Sequence, residues 1–309
     1  MNDIEDLYII NLDRSKDRLN KMKLQLDKLN IKYTRFPAID GKKLTEKEIT
    51  QNASWACRTF LCDKSSLGCA MSHFNLWKKI ASNTNPNLNS LYIICEDDCI
   101  FPSDFNKKLQ IIINDLYTEE FIDKFHMLYL TCMGDCSTQT NYSFLGLYGK
   151  LCSKIFNKNC PLTISSSKVL HIANYPLTTG CYMLTKRGAQ KLVSILTKNL
   201  ITYHIDCQIA SYNALIALSS PLVTASVEDS TIGNSDYPFI FHSICTKLKY
   251  YKLAWQSNIP LCTYKFTYTI TTIRLVYILL LIIFFFYNKT VFYWLLGFML
   301  FEYILYILS

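Results

Sequence analysis

Leu91-Tyr-Ile-Ile-Cys95 runs without interruption into Glu96-Asp97-Asp98, and this junction decides how the chain is read. An apolar run of this length, ending abruptly at charge, fits a strand buried on both faces, as in a sheet covered by helices on either side. Three adjacent carboxylates at its end repel one another, and burial sharpens the repulsion unless a cation compensates. A hard divalent ion held by oxygen would do so and would also neutralise substrate phosphates. The competing reading of the same triplet is a solvated acidic turn.

Outward from this strand, strand and helix alternate. Leu7-Tyr-Ile-Ile-Asn-Leu12 is a second apolar strand. Ser15 then caps a helix whose Leu19, Met22, Leu26 and Leu29 keep helical spacing. Ile31–Phe36 reads as a further strand ending in the loop Pro37-Ala-Ile-Asp-Gly41, and 68–81 reads as a helix. Past the triplet, Ser103 caps a helix and Phe125–Leu130 is a strand. Thr178–Leu184 followed by Lys186–Leu196 repeats strand then helix, and Asp206–Leu218 reads as helix. The expected class is therefore α/β, a mainly parallel sheet flanked by helices, with ligands bound beyond the carboxyl ends of the strands. Residues 132–175 show little periodicity.

The whole chain has 309 residues, half of them apolar and 14% aromatic, with a net charge of +8. That much apolar surface excludes a disordered chain. The positive charge is spread without a long basic run, which suits an anionic small molecule or a membrane surface as readily as nucleic acid. Abundant Lys, Ile, Asn and Tyr point to an AT-rich genome, of a large DNA virus or a microbe. The cysteines number 13, with no C-x-x-C pair; Cys132 and Cys136 lie four apart with no second cluster to complete a zinc site. Cys95, Cys181 and Cys207 lie in apolar runs, where a thiol acts as a small hydrophobe. With no basic and apolar leader at the N-terminus, a reducing, cytosol-facing setting is expected.

The tail differs in composition. From Leu275 onward only Lys289 and Glu302 are charged, which reads as a C-terminal membrane anchor of one tilted or two short passes, with Asn288-Lys289 as the turn or edge. Thr269–Arg274 would extend the first pass. Lys247, Lys249, Lys252, Lys265 and Arg274 precede it and place the body on the cytosolic side. Three regions result: a body at 1–245, a basic and aromatic linker at 246–268, and the anchor at 269–309.

Asn11-Leu-Asp13-Arg14, followed by Asp17-Arg18, closes the first strand at a usual nucleotide position, where Arg14 and Arg18 could face phosphate. Surface pairing at a helix start accounts for the same residues. G-x-G-x-x-G and Walker motifs are absent, so dinucleotide and P-loop readings fail. Gly68-Cys-Ala-Met-Ser-His73 with Trp77, and Asp206 after His204, complete the list; a lone His is more often structural, and Asp206 could be merely a cap.

In combination these blocks resemble glycosyltransferase family 25, which includes lipooligosaccharide and procollagen galactosyltransferases. The resemblance rests on Tyr8–Arg14 with Asp17-Arg18, Ala38–Gly41, Gly68-Cys69 with Ser72-His73 and Trp77, and Glu96-Asp97-Asp98. It continues through Thr179–Leu184 with Gly188-Ala189, Ile205-Asp206, Pro221-Leu222-Val223 and Ser230–Ile232. It implies a GT-A fold, a UDP-sugar donor, inversion at the anomeric carbon, and Mn2+ or Mg2+ at Glu96, Asp97 and Asp98. Asn11, Asp13, Arg14, Arg18, Asp40, Ser72 and His73 would surround the donor, His73 orienting it or packing beneath it. Asp206 is the first candidate for general base and Asp229 the second. The acceptor would be a hydroxyl of a glycan, a glycolipid or a collagen-like hydroxylysine.

Two other readings compete. A metal-dependent phosphohydrolase or nuclease would need further ligands, and His73, His126, His171, His204 and His242 are scattered. A catalytically degenerate relative kept as a membrane scaffold or glycan-binding module should have lost part of the triplet or the first turn, and both are intact.

Overall fold

The computed structural model describes residues 4–58, 62–136, 144–225, 258–263 and 266–297, and the chain divides into two units, Met1–Thr231 and Ile232–Ser309. The elements of the first are β1 (Ile4–Asn11), α1 (Lys16–Lys28), β2 (Thr34–Pro37), a 3-10 turn (Gly41–Lys43), α2 (Glu46–Asn52), α3 (Lys64–Ala81), β3 (Leu91–Glu96), β4 (Cys99–Ile100), α4 (Phe105–Thr118), β5 (Met127–Tyr129), β6 (Met133–Asp135), α5 (Phe144–Ile155), β7 (His171–Ile172), β8 (Tyr175–Leu177), β9 (Cys181–Thr185), α6 (Lys186–Asn199), α7 (Ile205–Ser211), β10 (Ala217–Ser219) and β11 (Thr224–Ala225).

Seven strands form one sheet in the order β2-β1-β3-β9-β5-β10-β7. Alternate residues of its strands serve two layers. Tyr8, Ile10, Tyr92, Ile94, Tyr182 and Leu184 pack with Leu67, Ala70, Phe74 and Trp77 of α3 and Leu192 of α6. Leu7, Ile9, Leu91, Ile93, Cys95 and Met183 pack on the other side with Met22 and Leu26 of α1 and Leu109, Ile112 and Ile113 of α4. Burial on both faces is why these strands read as unbroken apolar runs.

The sheet is mixed rather than mainly parallel. Pairings β1–β2, β1–β3 and β5–β10 are parallel, while β3–β9, β5–β9 and β7–β10 are antiparallel. A parallel neighbour requires a crossover back to the starting edge. After β5 the chain instead re-enters at the carboxyl end, with Tyr182 opposite Tyr129, so β9 runs against both neighbours. A second correction concerns 206–218, read as one helix. The helix ends at Ser211, and Ala217–Ser219 is β10, bonded to β5. Short apolar runs do not distinguish helix from strand by period alone. Caps also differ: Ser15 occupies the N-cap of α1 without using its hydroxyl, and Asp104, not Ser103, precedes α4.

Gly68 shows why a residue without a side chain stands on α3. A Cβ there would lie 2.6 Å from the Gly41 nitrogen, so the 38–41 loop could not lie against the helix. Ser72 completes that clamp: its hydroxyl donates to the Gly68 carbonyl at 2.6 Å and accepts from the Ile39 N–H at 2.8 Å.

Within the aperiodic stretch, one carboxylate organises a loop. Glu119 accepts from the Ser165 N–H at 3.0 Å, the Ser166 N–H at 2.6 Å and the Ser167 N–H at 2.6 Å, and from the hydroxyls of Ser165 and Ser166. The Ser165 N–H and the Ser166 hydroxyl contribute most to holding its carboxyl down at about 2. The folded value lies below the ordinary 4.5, so this anchoring is complete above that pH and is lost as pH falls through about 2. Glu119→Gln is expected to give much faster amide exchange at Ser165–Ser167 at neutral pH, with the sheet amides unchanged.

Cys57–Cys62 and Cys132–Cys136 form disulfides, whereas Cys95, Cys181 and Cys207 are free and buried, the last three as their apolar surroundings require.

In the second unit, β12 (Asn258–Thr263) and β13 (Phe266–Thr271) pair antiparallel, and α8 (Thr272–Tyr287) follows. No helix among the described residues is long and apolar enough to cross a membrane, and residues 298–309 of the expected anchor lie outside the described residues. Thr269–Thr271 belong to β13 and do not lengthen α8, whose 16 residues cover about 24 Å against a hydrocarbon core of about 30 Å. Asn288 then interrupts the run, its side-chain oxygen accepting from the Thr290 N–H at 3.0 Å as an N-cap does.

Candidate active site

Parallel pairing of β1 and β3 sets Ile10 opposite Glu96, so both strands end level and the Asn11–Arg18 turn meets the acidic triplet. Asn11, 2% exposed, donates to Asp97 Oδ2 at 2.6 Å and accepts from Arg35 Nε at 3.0 Å. Arg18 reaches back from α1 to Asp97 Oδ1 at 2.7 Å and Asp98 Oδ2 at 2.9 Å. Asn11 and Arg18 thus position the triplet from within the protein. Asp13 pairs with Arg35 at 2.5 Å, and Arg14 pairs with Asp40, which also caps the 3-10 turn. Hydrogen bonding to Arg35 and to Arg14, respectively, holds the Asp13 and Asp40 carboxyls below the usual range.

The three acids of the triplet are not equivalent. Asp97 uses both oxygens on Asn11 and Arg18. Burial nevertheless pushes its carboxyl up. For Asp98, burial first and the charge of Glu96 second push the carboxyl up to about 7. Glu96 goes the other way: burial opposes its charge, but hydrogen bonds from His73 and Thr179 prevail and hold it below the usual range. With all three ionised, one guanidinium would leave two negative charges uncompensated, and the raised Asp97 and Asp98 carboxyls reflect that deficit, which a divalent cation could fill. Glu96 and Asp98 supply oxygen, the donor that a hard cation takes.

His73 lies wholly buried beneath Glu96. Trp77 Nε1 can only donate, and it does so to Tyr182 Oη at 2.7 Å. An ionised Glu96 only accepts, so the His73 Nε2 proton faces its Oε1 at 3.3 Å, while Nδ1 lies 2.9 Å from Tyr182 Oη. A chain of hydrogen bonds therefore runs from the core to Glu96. Tyr182→Phe strands two buried groups, and a loss of about 2 kcal/mol is expected in denaturant unfolding.

Across the site, Asp206 sits in the first turn of α7, its Oδ2 accepting from the Thr178 N–H at 3.1 Å. Thr178 adopts φ +79°, a backbone that a β-branched residue rarely tolerates and that marks a constrained turn. Its neighbour Thr179 donates its hydroxyl to Glu96 Oε1 at 2.9 Å. One turn, Thr178–Gly180, thereby ties Asp206 to Glu96. Thr179 and Tyr182 lie in the 179–184 block, where sequence alone assigns them no role. The signal was available, since a buried Tyr hydroxyl usually finds a partner, although Tyr92 of β3 has none among the described residues.

Of the residues expected around the donor, Asp13, Arg14 and Asp40 lie at the partly exposed rim, while Asn11, Arg18, Ser72 and His73 are engaged inside the protein. Asp229 and the block around Ser230 lie outside the described residues.

Residues 4–209 match the family model described as glycosyltransferase family 25 (LPS biosynthesis protein). Procollagen galactosyltransferase 1-A of Xenopus laevis is 24% identical over 197 residues, 62% of this chain and 28% of that protein. A glycosyltransferase 25 family member of Aedes aegypti is 22% identical over the same length, with the same shares. A protein of Acanthamoeba polyphaga mimivirus, named as a glycosyltransferase, is 30% identical over 135 residues, 43% of this chain and 40% of that protein. The chain spans less than a third of the length of these animal relatives. With the matched residues enclosing the acidic triplet, the β1–α1 turn and Asp206, the chain belongs to glycosyltransferase family 25.

Proposed function

We propose that the chain transfers a hexose, galactose or glucose, from a UDP-sugar to a hydroxyl of a glycan, glycolipid or collagen-like hydroxylysine, with inversion and with Mn2+ or Mg2+ at Glu96 and Asp98. One observation carries this reading: three buried or half-buried carboxylates close β3 with a single guanidinium among them, between the β1–α1 turn and Asp206. When bound, the cation would offset the charge of the donor diphosphate. Arg18 limits the self-repulsion of the triplet, and His73 and Thr179 fix the direction of Glu96.

In a single displacement, the acceptor oxygen bonds to the anomeric carbon as the bond from that carbon to the diphosphate oxygen breaks. The bonding pair leaves with UDP, and the acceptor proton passes to Asp206, which Thr178 holds in place. Galactosyl transfer is the activity that the names of the Xenopus relatives carry, and it is the first donor to try. The test is release of UDP or GDP from a panel of nucleotide sugars, with Mn2+ or with chelator. Metal-dependent release from one donor supports the reading. A folded chain that neither releases nor binds any nucleotide overturns it in favour of the degenerate scaffold.

For location, we propose that the apolar tail lies against a membrane; the two disulfides of the body, Cys57–Cys62 and Cys132–Cys136, do not favour the reducing side expected from sequence. Phe286, Tyr287 and Trp294 are 79%, 86% and 77% exposed on that segment, and aromatic side chains of this kind favour the interface. Flotation of the full chain with vesicles checks this; an unbound chain removes it.

A further inference from the structure

Cys69 and His73 lie one turn apart on α3, so both side chains point off the same face of the helix. Glu96 meets them from the end of β3. One donor atom from each, the Cys69 sulfur, a His73 ring nitrogen and a Glu96 oxygen, lies within 4.8 Å of the others. Among the described residues no other three His, Cys, Asp or Glu side chains come together in this way. The acidic triplet does not, because Asp97 is turned toward Arg18 and Asn11.

We propose that Cys69, His73 and Glu96 form a binding site for a thiophilic divalent cation of the zinc class, distinct in chemistry from the oxygen-only donors of Asp98. Sulfur, imidazole nitrogen and carboxylate oxygen are the donor set of such ions, whereas Mg2+ and Mn2+ favour oxygen. His73 Nε2 and Glu96 Oε1 stand 3.3 Å apart, which matches the edge of a tetrahedron with bonds of about 2.0 Å. The Cys69 sulfur, within 4.8 Å of both, is the donor nearest to a third corner. Glu96 is 25% exposed, so water can supply a fourth ligand.

The orientation of His73 is already supplied. Its Nδ1 contacts Tyr182 Oη at 2.9 Å, the outer hydrogen bond that metal-ligating histidines use to fix the ring. Binding exchanges protons for metal without oxidation or reduction. The Cys69 proton leaves to solvent as the sulfur–metal bond forms. The His73 ring keeps one proton, which moves from Nε2 to Nδ1 and is donated to Tyr182 Oη. One proton is released per ion bound.

The site shares Glu96 with the proposed donor-side cation, so occupancy by zinc would withdraw that carboxylate and suppress transfer. Its existence does not depend on the transfer reading, and the test is therefore made on the protein alone. Co2+, an optical substitute for zinc, is titrated into the full chain. One equivalent is expected to give a sulfur-to-cobalt charge-transfer band that added Zn2+ abolishes. Cys69→Ser should remove the band and weaken zinc binding by more than roughly 100-fold, beyond the loss seen when only an outer partner is removed. Cys160→Ser, which alters a free cysteine outside the cluster, should keep it.

A second measurement needs no variant. Zn2+ should slow alkylation of Cys69 in the wild-type chain at least roughly tenfold, read by mass spectrometry, because a metal-bound thiolate is no longer a free nucleophile. Absence of the band, its persistence in folded Cys69→Ser, or equal alkylation with and without Zn2+ would each overturn the proposal.

Discussion

Asp98→Asn is expected to lower kcat/KM for sugar transfer by about a thousandfold, equivalent to about 4 kcal/mol of transition-state stabilisation. Asn keeps the volume of Asp and can still accept from Arg18, whose Nη2 lies 2.9 Å from Asp98 Oδ2. What it removes is one of the two carboxylates proposed to hold the cation. Stability should move the other way. Burial and the charge of Glu96 push Asp98 from the ordinary 3.8 up to about 7. Between those values the folded chain holds a proton that the unfolded chain has released, so metal-free stability falls as pH rises through the window. The Asn variant lacks this penalty. Its Tm near neutral pH should equal or exceed that of the wild type, with a flatter dependence on pH. Full activity in Asp98→Asn would remove Asp98 from the cation site. A large loss of Tm would show that its main role is in the fold.

Arg18→Met is expected to be the most destabilising of these substitutions, by about 3–5 kcal/mol, because it leaves two largely buried carboxylates without their internal cation. Asp97 and Asp98 are 8% and 13% exposed, so water screens them little. Met retains most of the apolar stem and limits the packing loss. The deficit should be recoverable: Mn2+ should raise the Tm of Arg18→Met by more than it raises that of the wild type, since a bound cation replaces part of the missing charge. Thermal unfolding across a Mn2+ series reads this directly. A loss of stability that Mn2+ does not repair would assign Arg18 to packing and not to charge balance.

The two predictions rest on features of different visibility. Leu7–Leu12 and Leu91–Cys95 were legible as strands because burial on both faces demands unbroken apolar side chains. The first helix was legible from the spacing of Leu19, Met22, Leu26 and Leu29, and the readings of helix at 68–81 and 186–196 fell inside the observed α3 (Lys64–Ala81) and α6 (Lys186–Asn199). The acidic triplet stood out because three charges after a buried run conflict with local physics unless something compensates, and conflicts of that kind gather at functional sites. The order of the blocks along the chain carried the family.

The direction of β9 was not legible, because an apolar strand has the same pattern whether it runs parallel or antiparallel. Nor was the identity of β10, where three residues are too few for a period to show. Composition marked the tail as apolar but did not reveal that Thr269–Thr271 pair in a hairpin or that Asn288 starts a new helix. Within the site, sequence pointed to residue types, and their partners came from long-range contacts. Arg18 and Asp97 are 79 positions apart, Asn11 and Asp97 are 86, and His73 and Tyr182 are 109. Residue types that need a cation, a cap or a buried partner declare that need locally, through charge, shape and period. Which distant group meets it depends on the strand order and register of the folded sheet, and here those turned Arg18 toward the acids and set Cys69 beside His73 and Glu96.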